Sequence, residues 1–211
     1  MIQIKHYSTN LQNTEVWETE YFRYINIHKV GSSTVRKGIS ESFDSPPKEE
    51  APDKVVTWTV LRDPYLRFID AIAYDIGYVG QIVNQEAVLD RLQGANISEY
   101  IFGLSNPIFR GRGTVRHSMP QVSYLLDMNL DIYVDIKDLS MFCSMHFPGV
   151  DFSKGGENLG VSEDRDVVAE VLDSHPLLKQ KVLDFLHIDY FLLDRLNAMD
   201  KKWCWANGRI F

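Results

Sequence analysis

The chain has 211 residues, 45% hydrophobic and 24% charged, with a formal net charge of -7. That balance suits one soluble globular domain spanning residues 1–211, with a sizeable core. Its acidity argues against a nucleic-acid surface, so any anion site has to be a local basic spot.

Residues 1–15 (MIQIKHYSTNLQNTE) lack the basic-then-apolar layout of a secretion signal. Residues 21–27 (YFRYINI) and 55–61 (VVTWTVL) are rich in β-branched and aromatic side chains and predict strands. Each leads into a helical pattern: Val35, Ile39 and Phe43 after the first, and Leu66, Ile69, Ala73 and Ile76 after the second. Residues 44–53 (DSPPKEEAPD) between them form a solvated loop. Residues 78–120 fit least well, with a helix over 86–103 and then the Gly- and Arg-rich NPIFRGRGTVRHSMP. A third strand is expected at 130–136 (LDIYVDI), with a helix near 138–147. Further helices are expected at 163–173 and 177–197, the latter broken near His187-Ile188-Asp189. Strands alternating with helices predict an α/β fold on a central parallel sheet covered by helices on both faces. No apolar run approaches the roughly 20 residues that cross a bilayer. Cys143 and Cys204 match no metal spacing and fit reduced thiols in a cytoplasmic protein.

Two strand ends carry the chemistry. The first strand runs into His28-Lys29-Val30-Gly31-Ser32-Ser33-Thr34. This order is not G-x-x-x-x-G-K-[ST], because the lysine precedes the glycine, which weakens a kinase reading. It still places a cation beside the amides of a helix N-terminus, a cradle for a phosphate- or sulfate-like group. A plain capped turn is the competing account of this stretch. The second strand ends in Arg62-Asp63-Pro64. Asp63 suits an N-cap and Pro64 the first helical turn, which leaves the Arg62 guanidinium at the sheet edge to fork onto a phosphate.

HKVGSST followed by LRDPYLRFIDAIAY resembles the two cofactor-binding motifs of sulfotransferases that use 3′-phosphoadenosine 5′-phosphosulfate (PAPS). The carbohydrate sulfotransferases are the nearest in pattern. The resemblance continues through HSMPQVSYLL, DIYVDIKDLSMF, ENLGVSED and HIDYFLLDRL, in family order. It implies a P-loop-like sulfotransferase fold, PAPS as donor, no metal, and a sugar or small-metabolite hydroxyl as acceptor; charge and hydropathy add the expectation of no nucleic acid and no membrane as partner. Lys29, Val30, Gly31, Ser32, Ser33 and Thr34 would hold the 5′-phosphosulfate, with Lys29 against the bridging oxygen on which charge develops. Arg62 would clamp the 3′-phosphate. The family pattern R-D-P-x-x-R-x-x-S puts a serine ligand of that phosphate at position 70, where this chain has Asp70. A carboxylate facing the phosphate would repel it unless paired, and Arg67, three residues earlier, is the candidate partner.

An acceptor hydroxyl must lose a proton as it attacks, and His117, opening the H-x-x-P-Q segment, is the first candidate base. A loop hydrogen bond is the competing role for it, and His28 is the alternative base. His146, His175 and His187 read as structural. Arg110, Arg112 and Arg116 are candidates for an anionic acceptor or a solvated loop. Trp203, Trp205 and Phe211 are expected to pack onto the domain, with a wall of the acceptor site as the alternative role for one of them. A nucleotide-binding relative without turnover, hinted at by Asp70, is the alternative from another functional class, and a P-loop-like kinase is the remaining one.

Overall fold

The computed structural model describes residues 5–8, 14–42, 55–78, 80–94, 115–125, 128–147, 150, 162–204 and 206. The chain divides into two compact units. One comprises Met1–Arg62, Gln121–Glu157 and Leu193–Phe211; the other comprises Asp63–Pro120 and Asn158–Leu192.

The first unit is built on a sheet. Its strands are β1 (Lys5–Ser8), β2 (Glu15–Glu18), β3 (Phe22–Asn26), β4 (Val56–Leu61) and β5 (Ile132–Asp135), ordered β1-β2-β3-β4-β5. β1, β2 and β3 pair antiparallel, whereas β3, β4 and β5 pair parallel. The fold is therefore α/β, but the sheet is mixed rather than parallel. The reason is local. Only residues 19–21 separate β2 from β3, too few for a crossover and enough for a hairpin. Thr19 fixes that turn, its hydroxyl accepting from the Tyr21 and Phe22 amides at 3.2 Å each.

Helix α1 (Ser32–Ser42) follows β3, as expected. Residues 43–54, including Phe43 and the anticipated loop, lie outside the described residues. β4 is buried from Thr57 to Leu61, as suits a strand paired on both sides. Trp58 is the hub of its core: its ring centroid is 4.7 Å from that of Tyr24 and 4.6 Å from that of Phe142. Phe142 and Cys143 come from α5 (Leu139–His146), which begins after a 3₁₀ turn at Ile136–Asp138. Trp203 is buried and meets Phe142 edge-on at 5.2 Å. Its amide donates to the Tyr133 carbonyl at 2.8 Å, so residues 201–203 run alongside β5. Trp205 and Phe211 lie outside the described residues.

The second unit is helical, with α2 (Pro64–Tyr78), α3 (Gln85–Gly94), α4 (Val115–Ser118) and α6 (Ser162–Ser174). Helix α7 (Pro176–Ala198) belongs to it up to Leu192. Ile69, Ile72 and Ile76 of α2, Val88 and Leu92 of α3, Val168 and Leu172 of α6, and Val182 and Phe185 of α7 close one apolar core. Two expectations change. Leu66 is half exposed, because the buried stripe runs through Phe68, Ile69, Ile72 and Ile76. The break near His187-Ile188-Asp189 is absent: α7 is continuous there, with Leu186, Asp189 and Leu196 all on its buried side. The helix expected over 86–103 is described as Gln85–Gly94, and its remainder lies outside the described residues.

Candidate functional site

The turn after β3 departs from ordinary backbone geometry twice. Lys29 has φ 64° and Gly31 φ 79°, with Val30 between them on the usual negative side. Such alternation of hand curls successive amides toward one concave side, the arrangement that binds anions. Val30 is fully buried and pins the turn to the core. The Val35 amide donates to the Gly31 carbonyl at 3.2 Å, closing the first turn of α1. The amides of Ser32, Ser33 and Thr34 precede that bond, so none of them has an acceptor within the helix. The first turn carries no acidic residue to offset the positive end of the helix dipole. Gly31 is required on two counts: its positive φ, and the 2.5 Å separation from Leu139 Cδ2 that a Cβ would have. His28 packs perpendicular to Tyr124, with ring centroids 5.9 Å apart.

Arg62 directly follows β4, the parallel neighbour of β3. It and His28 each lie three residues beyond the registered pair Ile25–Thr59, at the same carboxyl edge of the sheet. The Arg62 backbone is held from both sides by the buried Gln121 amide. Its N–H donates to Gln121 Oε1 at 3.0 Å, and its carbonyl accepts from Gln121 Nε2 at 2.8 Å. Sequence reasoning passed over Gln121; the only signal was its place in the H-x-x-P-Q segment. At the third parallel strand end, Asp135 accepts from the Lys137 amide at 3.0 Å and pairs with Lys202 at 3.2 Å.

In the second unit, Asp63 and Pro64 act as their residue types predict. Asp63 Oδ1 accepts the Leu66 amide at 2.8 Å, and α2 begins at Pro64. Arg67 is fully buried, and its Nη1 donates to the Met119 carbonyl at 2.6 Å. Asp70 lies 3.4 Å from Arg165 Nη1 of α6, so a cation unremarked in the sequence partners this carboxylate.

His117 lies on α4, and its Nδ1 is 2.7 Å from Asp75 Oδ1 of α2. Asp75 is buried, and its other oxygen is 3.4 Å from Arg91 Nη2 of α3. The Tyr74 ring stands at 89° to the imidazole, with centroids 5.0 Å apart. Burial, with Tyr78 and Asp75 adding to it, raises the Tyr74 phenol pKa above its ordinary value, so the phenol keeps its proton. An imidazole whose Nδ1 is held by a carboxylate is an arrangement that general acid–base chemistry can use. Asp75 was missed because an acid beside the apolar spacing of α2 reads as solvent-facing.

No family model, curated protein or solved structure matches the chain. The site therefore rests on its own geometry. Lys29, the 31–34 amides and Arg62 belong to the sheet unit, and Asp70 and His117 to the helical unit. The remaining histidines have local roles. His146 is buried 4.4 Å from the Phe142 ring, His175 Nδ1 is 2.8 Å from the Val171 carbonyl oxygen, and His187 faces solvent on α7. Arg110, Arg112 and the Arg116 side chain lie outside the described residues. Among the described residues, no group of His, Cys, Asp and Glu side chains is arranged to hold a metal ion, and no helix is long and apolar enough to cross a membrane.

Proposed function

We propose that the chain is a cytoplasmic PAPS-dependent sulfotransferase of the P-loop-like sulfotransferase fold, moving a sulfuryl group to a sugar or small-metabolite hydroxyl. The observation that carries the reading is the turn of alternating hand at Lys29-Val30-Gly31, which opens α1 without an acid in its first turn. A left-handed backbone costs a lysine strain that glycine would avoid, so a lysine at one of the two left-handed positions supports a role for its side chain. The residues fit the donor's chemistry. The amides of Ser32, Ser33 and Thr34 receive the sulfuryl and 5′-phosphate oxygens, and Arg62 at the neighbouring strand end takes the 3′-phosphate.

In the reaction, the acceptor oxygen forms its bond to sulfur as the bond from sulfur to the bridging oxygen breaks. Lys29 stabilises the negative charge that collects on that oxygen. His117 takes the acceptor proton, and adenosine 3′,5′-bisphosphate departs with the bonding electrons. The chain's own cations supply the positive charge that a metal supplies in many phosphoryl transfers.

The test is transfer from sulfur-labelled PAPS to a panel of sugars and hydroxylated metabolites, comparing the wild-type chain with His117→Ala. The reading expects labelled product from wild type and its loss in His117→Ala, with nucleotide binding retained. Nucleotide binding without labelled product on any acceptor would instead indicate a binding protein.

A further inference from the structure

We infer that Asp75 is a positioning residue that keeps the proton of neutral His117 on Nδ1, making Nε2 the atom that accepts the substrate's proton. The inference rests on the reading of His117 as the base, and extends it by assigning the tautomer and the residues that set it.

An ionised carboxylate can only accept hydrogen bonds. With Asp75 Oδ1 2.7 Å from His117 Nδ1, the bridging proton therefore belongs to the imidazole. The distance is that of a charge-assisted N–H to carboxylate bond. Asp75 has no side-chain exposure through which water could substitute for this donor. Its second oxygen lies 3.4 Å from Arg91, so three helices each contribute one member: Asp75 from α2, Arg91 from α3 and His117 from α4. The perpendicular contact with Tyr74 restrains rotation of the ring. A neutral imidazole protonated at Nδ1 carries its lone pair on Nε2.

Arg91 makes the inference sharp. A guanidinium donates and never accepts. In an Asp75→Asn variant, the amide oxygen therefore turns toward Arg91 and the NH₂ toward His117. The imidazole then meets a donor, must accept at Nδ1, and moves its proton to Nε2. The base is lost although size and hydrogen-bond count are nearly kept.

The experiment is long-range ¹⁵N–¹H NMR of the histidine rings in the whole chain, recorded with the rings neutral and assigned with His117→Gln. The expected result is the Nδ1–H pattern in wild type and the Nε2–H pattern in Asp75→Asn. An Nε2–H wild-type ring, or an Nδ1–H ring retained in a folded Asp75→Asn, overturns the inference. If Asp75→Asn does not fold, the wild-type spectrum decides alone. In transfer assays Asp75→Asn should lower kcat on the order of 10⁴-fold with a much smaller change in acceptor KM, as a wrong tautomer does elsewhere. If the tautomers are as inferred but His117→Ala keeps full turnover, the base assignment fails while the role of Asp75 in setting the tautomer stands.

Discussion

Lys29 holds a left-handed backbone at φ 64°, which costs a residue with a Cβ about 1–2 kcal/mol. Glycine would remove that cost while adding about 0.5–1 kcal/mol of unfolded-state freedom. Lys29→Gly should therefore stabilise the chain by about 0.5 kcal/mol in urea unfolding, while lowering transfer on the order of a hundredfold or more. A clear loss of stability would mean that the lysine stem, rather than its charge, explains the residue. Gly31→Ala should behave oppositely. Left-handed strain and a Cβ 2.5 Å from the buried Leu139 together cost about 2–5 kcal/mol, and near-native stability would contradict the turn as described. At position 70, the ion pair with the partly exposed Arg165 already offsets the carboxylate. Asp70→Ser should cost less than about 1 kcal/mol of stability and tighten adenosine 3′,5′-bisphosphate by less than about tenfold. A larger tightening would show that Asp70 opposes the 3′-phosphate after all.

The elements divide by how local their causes are. Asp63 caps α2 because an N-cap needs only its own side chain and the next turn, so Asp63→Ala should lose about 1 kcal/mol by thermal unfolding. For the same reason β3, β4 and β5 fall within two residues of their expected bounds: their apolar content decides the outcome by itself. Strands β1 and β2 were not legible. In β2 Val16 is fully buried, and pairing, of β1 with β2 and of β2 with β3, rather than their own composition, makes them strands. A break in α7 was expected from His187 and Asp189, yet Asp189 is buried; tertiary packing overrides the polar sequence there. In the candidate site, Lys29, Gly31, Arg62 and His117 stand out by residue type and position. Gln121, Asp75 and Arg165 do not, because each matters only through a partner distant in sequence.

At the scale of the whole molecule, the two cysteines report on different things. Cys143 is buried in the core of the sheet unit, where burial pushes its thiol up to about 12, whereas Cys204 is exposed. At pH 8 one thiol per chain should react promptly with a thiol reagent, and the second only as fast as that unit opens. Rapid reaction of both would contradict the packing around Trp58. The anion site that opens α1, together with Arg62, is tested most directly by calorimetric titration of the 211-residue chain. Adenosine 3′,5′-bisphosphate should bind at least about tenfold tighter than adenosine 5′-phosphate, the contribution of one charge-assisted contact. Arg62→Ala should erase that difference, and ATP with Mg²⁺ should bind no better than the monophosphate. Binding of ATP with Mg²⁺ in preference to the bisphosphate, or no discrimination by the 3′-phosphate in the wild-type chain, would contradict the account.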